Sequence, residues 1–181
     1  MKKKVRNIKQ QLSKSQIDKV ISLYSSGQIE DAIIEIRLLN DNYPNVPILF
    51  NILGACYKEL GQLESAKKMF KIAFKIKPDY AEAYFNYAVI LGAVGQVNEA
   101  IAEYKNAVAI SPNYPNAHNN LGNAYKEIGM IKSAIDSYEW AIAYKPEFIE
   151  ALINLGIALN DLNKTDLAIK NFEKVISIDA N

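Results

Sequence analysis

Gly27, Gly61, Gly95 and Gly129 stand 34 residues apart, and Asn163 takes the next place. The same interval separates Ala32, Ala66, Ala100, Ala134 and Ala168. Pro44, Pro78, Pro112 and Pro146 keep it too, with Ala180 where a fifth proline would fall. Three independent series in step make the chain a tandem array. A repeat of this length is one supersecondary piece that buries its apolar face only against its neighbours, so stability accrues repeat by repeat.

Each repeat has the grammar of two helices. Within 81–114, Tyr84, Tyr87, Ala88 and Leu91 recur at the spacing of an amphipathic helix. Gly95 then permits the positive φ that ends a helix. A second stripe runs through Ala100, Ile101, Tyr104, Ala107 and Val108, and Pro112 cannot continue it. The small residues Ala88, Ala100 and Ala107 let two helices approach closely.

These residues resemble the tetratricopeptide repeat (TPR) family. Its pattern has bulky residues at the fourth and seventh positions, a small one at the eighth and an aromatic or Leu at the eleventh. Ala follows at the twentieth, an aromatic at the twenty-fourth, Ala at the twenty-seventh and Pro at the thirty-second. Repeat 47–80 matches through Phe50, Leu53, Gly54, Tyr57, Ala66, Phe70, Ala73 and Pro78. Repeat 115–148 matches through His118, Leu121, Gly122, Tyr125, Ala134, Tyr138, Ala141 and Pro146. Repeat 149–181 keeps Leu152, Leu155, Gly156, Leu159, Ala168 and Phe172 but has Val175 and Ala180 in the last two places. The resemblance implies an all-α, right-handed α-solenoid of stacked antiparallel helix pairs. Its repeats are 14–46, 47–80, 81–114, 115–148 and 149–181, after a basic N-terminal arm or capping helix over 1–13. In the first repeat the apolar stripe is Ile17, Val20, Ile21 and Tyr24, one place late, which predicts an inter-helix turn one residue shorter.

The resemblance further implies that first helices line a concave surface and second helices form its back. Positions four, seven, eight and eleven then pack, leaving positions two, five, six, nine, twelve and thirteen to the groove. In "NAHNNLGNAYKEIG" (116–129), Asn116, Asn119, Asn120 and Asn123 are thereby expected to face the channel. The sixth position reads Ile52, Asn86, Asn120, Asn154. A carboxamide donates and accepts together, so such a ladder could grip the peptide groups of an extended ligand. A similar ladder is known from the TPR part of enzymes that attach N-acetylglucosamine to proteins. The fifth position adds Asn51, Phe85 and Ile153, giving a peptide-binding groove of Asn51, Phe85, Asn86, Asn116, Asn119, Asn120, Asn123, Ile153 and Asn154. Asparagine is frequent throughout, 18 residues of 181, so composition alone supplies some of these. The carboxylate clamp of chaperone adaptors is missing, since positions two and five carry no paired cations.

Other functions lose support in turn. The 21 basic and 20 acidic residues nearly balance, which argues against nucleic-acid binding. The balance is uneven, however. The first 14 residues hold six positives and no acid, leaving 15 basic against 20 acidic in the remainder. No apolar run approaches the roughly 20 residues of a membrane span, and no secretory signal is read, so a cytoplasmic setting is expected. Cys56 is the single cysteine and His118 the single histidine. Both fall where packing is expected, so neither a metal site, a cofactor nor catalysis is anticipated. Trp140 is expected in the core or on the convex side.

The expected function is a non-enzymatic scaffold that binds a peptide or protein segment. Two further readings stay open. One is the TPR segment of a larger enzyme, glycosyltransferase-, sulfotransferase- or oxygenase-like, that recruits its protein substrate. The other is a self-assembling module. The last helix, with Leu167, Ile169, Phe172, Val175, Ile176 and Ile178, is too apolar for a fully solvated end. The first expectation is therefore that more chain follows it, and the second that this edge meets a partner or self-associates with a second copy.

Overall fold

A computed structural model of the chain describes residues 12–179 and contains, among them, ten helices and no strand. Two compact units are present. The first, Met1–Lys77, holds α1 (Lys14–Ser25), α2 (Ile29–Asn42), α3 (Pro47–Glu59) and α4 (Leu63–Ile76). The second, Pro78–Asn181, holds α5 (Ala81–Ala93), α6 (Val97–Ile110), α7 (Pro115–Glu127), α8 (Ile131–Tyr144), α9 (Ile149–Asp161) and α10 (Thr165–Asp179). The fold class is an all-α solenoid of helix pairs. In the first unit α2 and α1 both pack on α3. In the second, α6 packs on α7 and α8 on α9, while the first helices α5, α7 and α9 adjoin one another in order.

One turn joins every pair. Gly27, Gly61, Gly95 and Gly129 have φ between 70° and 77°, and Asn163 has φ 58°. The next amide bonds back to the carbonyl five residues earlier, as in Gln62 N to Tyr57 O at 2.8 Å and Lys164 N to Leu159 O at 2.9 Å. This double closure satisfies carbonyls that a helix end leaves open. Asparagine supports the left-handed conformation at the fifth site because its short polar side chain tolerates it.

The first repeat uses the same turn, with Gln28 N bonded to Leu23 O at 3.0 Å, so the shorter turn expected there is not found. Its first helix is in register. Val20 is fully buried, at the place Gly54 occupies one repeat later, and Ile21 is 42% exposed. The departure is in side-chain size. Gly54, Gly122 and Gly156 each lie under a ring, whereas Val20 shares its core cluster with the smaller Ile36. Ser13 caps α1, accepting from Gln16 N at 3.2 Å while Gln16 Oε1 accepts from Ser13 N at 2.9 Å. Leu12 packs against the same cluster. The rest of the basic arm or capping helix expected over 1–13, like Ala180 and Asn181, lies outside the described residues.

The landmark alanines sit in the interior. Ala32, Ala66, Ala100 and Ala134 are fully buried, and Ala168 is 2% exposed. Phe70 and Tyr138 are fully buried beside them.

Candidate functional site

The asparagines of α7 are divided between the interior and the surface. Asn119 Nδ2 donates to Glu150 Oε1 at 2.8 Å, and Asn154 Nδ2 donates to Asn119 Oδ1 at 3.0 Å and to Asn123 Oδ1 at 3.1 Å. The Tyr138 hydroxyl completes the chain, donating to Asn123 Oδ1 at 2.8 Å. Five side chains from α7, α8 and α9 thus form one connected network. Asparagine's usual liability in a helix is competition for local backbone groups. Here its amides are engaged across helices instead.

This geometry corrects the expected groove. Asn119 is 1% exposed and Asn51 3%, so neither fifth-position amide faces open water. Asn119 is covered because the first helix of the following repeat sets Glu150 and Asn154 directly against it. Phe85 is half-buried and packs on Tyr104 and Tyr114, with ring centroids 5.9 and 5.0 Å away. The ladder residues Asn86, Asn120 and Asn154 are all half-buried. Asn120 is hydrogen-bonded to the Tyr104 hydroxyl, whose pKa burial pushes up to about 12 against the lowering effect of that bond. Asn116, Asn123 and Ile153 are exposed.

The second unit opens a cleft of about 240 Å³ among α5, α6 and α7. Val89, Gly92 and Ala93 line it from α5, Tyr104 from α6, and Asn120, Asn123, Ala124 and Glu127 from α7. Its lining mixes the apolar side chains of Val89, Ala93 and Ala124 with the Tyr104 ring, the carboxamides of Asn120 and Asn123 and the carboxylate of Glu127. Its volume lies below the roughly 300–1,000 Å³ of pockets for whole small molecules. It suits one anchoring side chain of a longer ligand. Val89, Gly92, Ala93 and Glu127 stand at positions nine, twelve and thirteen, which the repeat register leaves to the groove, but none carries the amide that marks the other groove residues in the sequence. A recess of about 320 Å³ along α4 is lined by Lys67, Lys68, Lys71 and Lys75, with Lys67 paired to Glu64 at 2.6 Å. It is a charged face of one second helix, with Glu64 and Ile72 completing its lining.

The chemically distinctive residues have structural partners. His118 is buried, its Nε2 2.8 Å from the Pro112 carbonyl, and its ring neighbours Trp140 and Tyr144. Trp140 itself is 55% exposed on α8. Cys56 is buried, and burial above all pushes its thiol pKa up to about 11, with the Glu59 carboxylate adding to the rise. Such a thiol is protonated and unreactive near neutrality. Among the described residues no group of three or more potential metal ligands occurs, and no helix is long and apolar enough to cross a membrane.

Comparison with known proteins follows the same lines. Family models described as "Tetratricopeptide repeat" match residues 49–80 and 149–181, and 115–148, and one described as "TPR repeat" matches 93–129. No match to a curated protein sequence was found. Among solved structures, a crystal structure of MamA is similar at 26% identity and a TM-score of 0.79, covering 89% of this chain and 94% of that one. YrrB, whose crystal structure is described as that of a TPR protein with an unusual peptide-binding site, is similar at 18% identity and 0.73, covering 97% and 89%. PilF of Pseudomonas aeruginosa is similar at 14% and 0.84, covering 90% and 74%.

Proposed function

Because this chain belongs to the tetratricopeptide repeat family, we propose that it is a binding scaffold taking an extended segment of another protein, without catalysis of its own. The cleft among α5, α6 and α7 is the observation that carries this reading. Val89 and Ala93 would receive one side chain of the ligand, and Asn120 and Asn123 would meet the flanking backbone. Asn123 lines the cleft and spends only its Oδ1 in the network, so its Nδ2 remains as a donor there. Glu127 at the rim and the acidic balance of residues 15–181 favour a segment with a basic residue next to its apolar anchor. YrrB supports the same use of the fold at a coarser level, since its printed description names a peptide-binding site. A cytoplasmic setting fits such a role.

A displayed peptide library selected on the intact chain tests this. Enriched peptides should combine an apolar residue with a neighbouring Lys or Arg. Val89→Arg, which fills the cleft from a half-buried position, should weaken them at least tenfold while leaving the thermal melt in place. Undiminished affinity in the Val89→Arg chain would remove the cleft from the function.

A further inference from the structure

The two units carry charge of opposite sign. Residues 1–77 hold 14 basic and 7 acidic side chains, and residues 78–181 hold 7 basic and 13 acidic. Among the described residues of the first unit, α4 has the largest positive excess. It carries Lys67, Lys68, Lys71 and Lys75 against one carboxylate, Glu64, which Lys67 holds at 2.6 Å. The other second helices run the opposite way: α2, α6, α8 and α10 each contain more acidic than basic residues. Ala66, Phe70 and Ala73 are buried on one side of α4, and Lys68, Lys71 and Lys75 are exposed on the other.

These lysines border the recess of about 320 Å³ on that helix. Lys68 and Lys75 are seven residues apart, hence about 10 Å along the helix axis. An extended chain of the polyproline II kind has three residues per turn and rises about 3.1 Å per residue, so side chains at i and i+3 share one side about 9 Å apart. Two carboxylates at that spacing would reach both lysines. An ammonium on a flexible stem is a point charge that adapts to a ligand of variable geometry, unlike the planar fork of arginine.

We propose that the exposed side of α4 docks an acidic, extended segment of another protein, with Lys68 and Lys75 as its two charge contacts. Charge complementarity points to an anionic partner, and the neighbouring helix narrows its kind. Glu30 and Asp41 of α2 hold, one repeat earlier, the places of Glu64 and Lys75, and both are exposed. A bilayer or a duplex is broad enough to span helices about 10 Å apart and would set its phosphates against those carboxylates. A single chain is narrow enough to follow α4 alone. Single-stranded nucleic acid is held by stacking on aromatic rings, and among the described residues the lining of the recess contains none. The surface belongs to the first unit and the cleft to the second, and neither reading depends on the other.

Fluorescence anisotropy tests this, with the 181-residue chain titrated into a labelled peptide that has Glu at every third position and Ser and Pro between. Binding should saturate below about 1 mM at low salt and be lost in about 0.5 M salt, where the Debye length falls to a few ångströms. Lys68→Glu/Lys75→Glu should weaken it about tenfold with an unchanged helical spectrum, because each reversal removes an attraction and adds a repulsion. Lys68→Arg/Lys75→Arg should bind as wild type does. Should the reversed variant fail to fold, Lys68→Gln/Lys75→Gln gives the same readout with about a threefold loss. A peptide that does not bind overturns the proposal. Equal affinity for wild type and the reversed variant overturns the placement on α4 and assigns the binding to the basic residues elsewhere in the first unit. Vesicles containing phosphatidylserine, or a short DNA duplex, serve as competitors. If either binds the wild-type chain more tightly than the peptide and loses that binding in the reversed variant, the partner is not a protein segment. None of these results bears on the cleft, which α4 does not line.

Discussion

Gly122 lies directly beneath the ring of Tyr138: a Cβ built on the glycine would stand 2.4 Å from Tyr138 Cε1. Gly54 with Phe70 and Gly156 with Phe172 repeat the relationship at 2.6 Å. The missing side chain of α7 is what allows a fully buried ring on α8. Gly122→Ala gains helix propensity of about 1 kcal/mol, but the ring must retreat and its hydroxyl must leave Asn123. The expected net loss is about 1–3 kcal/mol by overpacking, measured as a lower urea midpoint. A midpoint at or above wild type would contradict the steric matching.

Asn119 offers a sharper test of the interior network. Asn119→Ala removes a donor from Glu150 and an acceptor from Asn154 at once. Both partners then lose a bond inside a packed interface, at an expected cost of about 1–3 kcal/mol. Asn116→Ala, on the exposed side of the same helix, should fall within about 0.5 kcal/mol of wild type. Equal urea midpoints for the two variants would show that the network does not hold α7 to α9.

The contrast between these two asparagines marks how far the sequence could be read. Gly129, Asn163, Ala100 and Pro112 announce themselves because each answers to a local rule: a positive φ, a close helix contact, a forbidden amide. Asn163 at φ 58° is legible by interval alone. The fate of a fifth-position amide is not local. Asn119 borders the packing stripe, and whether it faces water depends on where Glu150 and Asn154 of another helix come to rest. The cleft was partly visible, since the repeat register marks positions nine, twelve and thirteen as open. Its residues there, Val89, Gly92 and Ala93, carry no polar group to attract attention. The first repeat misled for a related reason. Ile17, Val20, Ile21 and Tyr24 have helical spacing whichever neighbour is taken as the inner one, and only burial in the cluster that includes Ile36 distinguishes Val20 from Ile21.

Alkaline solution should expose the tyrosine layer. Burial pushes the pKa of Tyr104 up to about 12, and that of Tyr114 to about 12 with help from the Glu82 carboxylate. Tyr138 is raised as well, by burial first and then by Glu150. A phenol whose pKa is higher folded than unfolded binds its proton more tightly in the native state. Its contribution is complete below the unfolded value of about 10 and is lost as pH rises through the folded value. Cys56, raised to about 11, adds to the same trend from slightly lower pH. Thermal midpoints should therefore be level between about pH 7 and 9 and fall steadily from about 10 to 12. Tyr104→Phe removes one titrating group, so its midpoint should start lower for want of the Asn120 bond yet decline less steeply. Parallel wild-type and Tyr104→Phe curves would mean that Tyr104 ionises as readily folded as unfolded, which is incompatible with a ring only 5% exposed between helices.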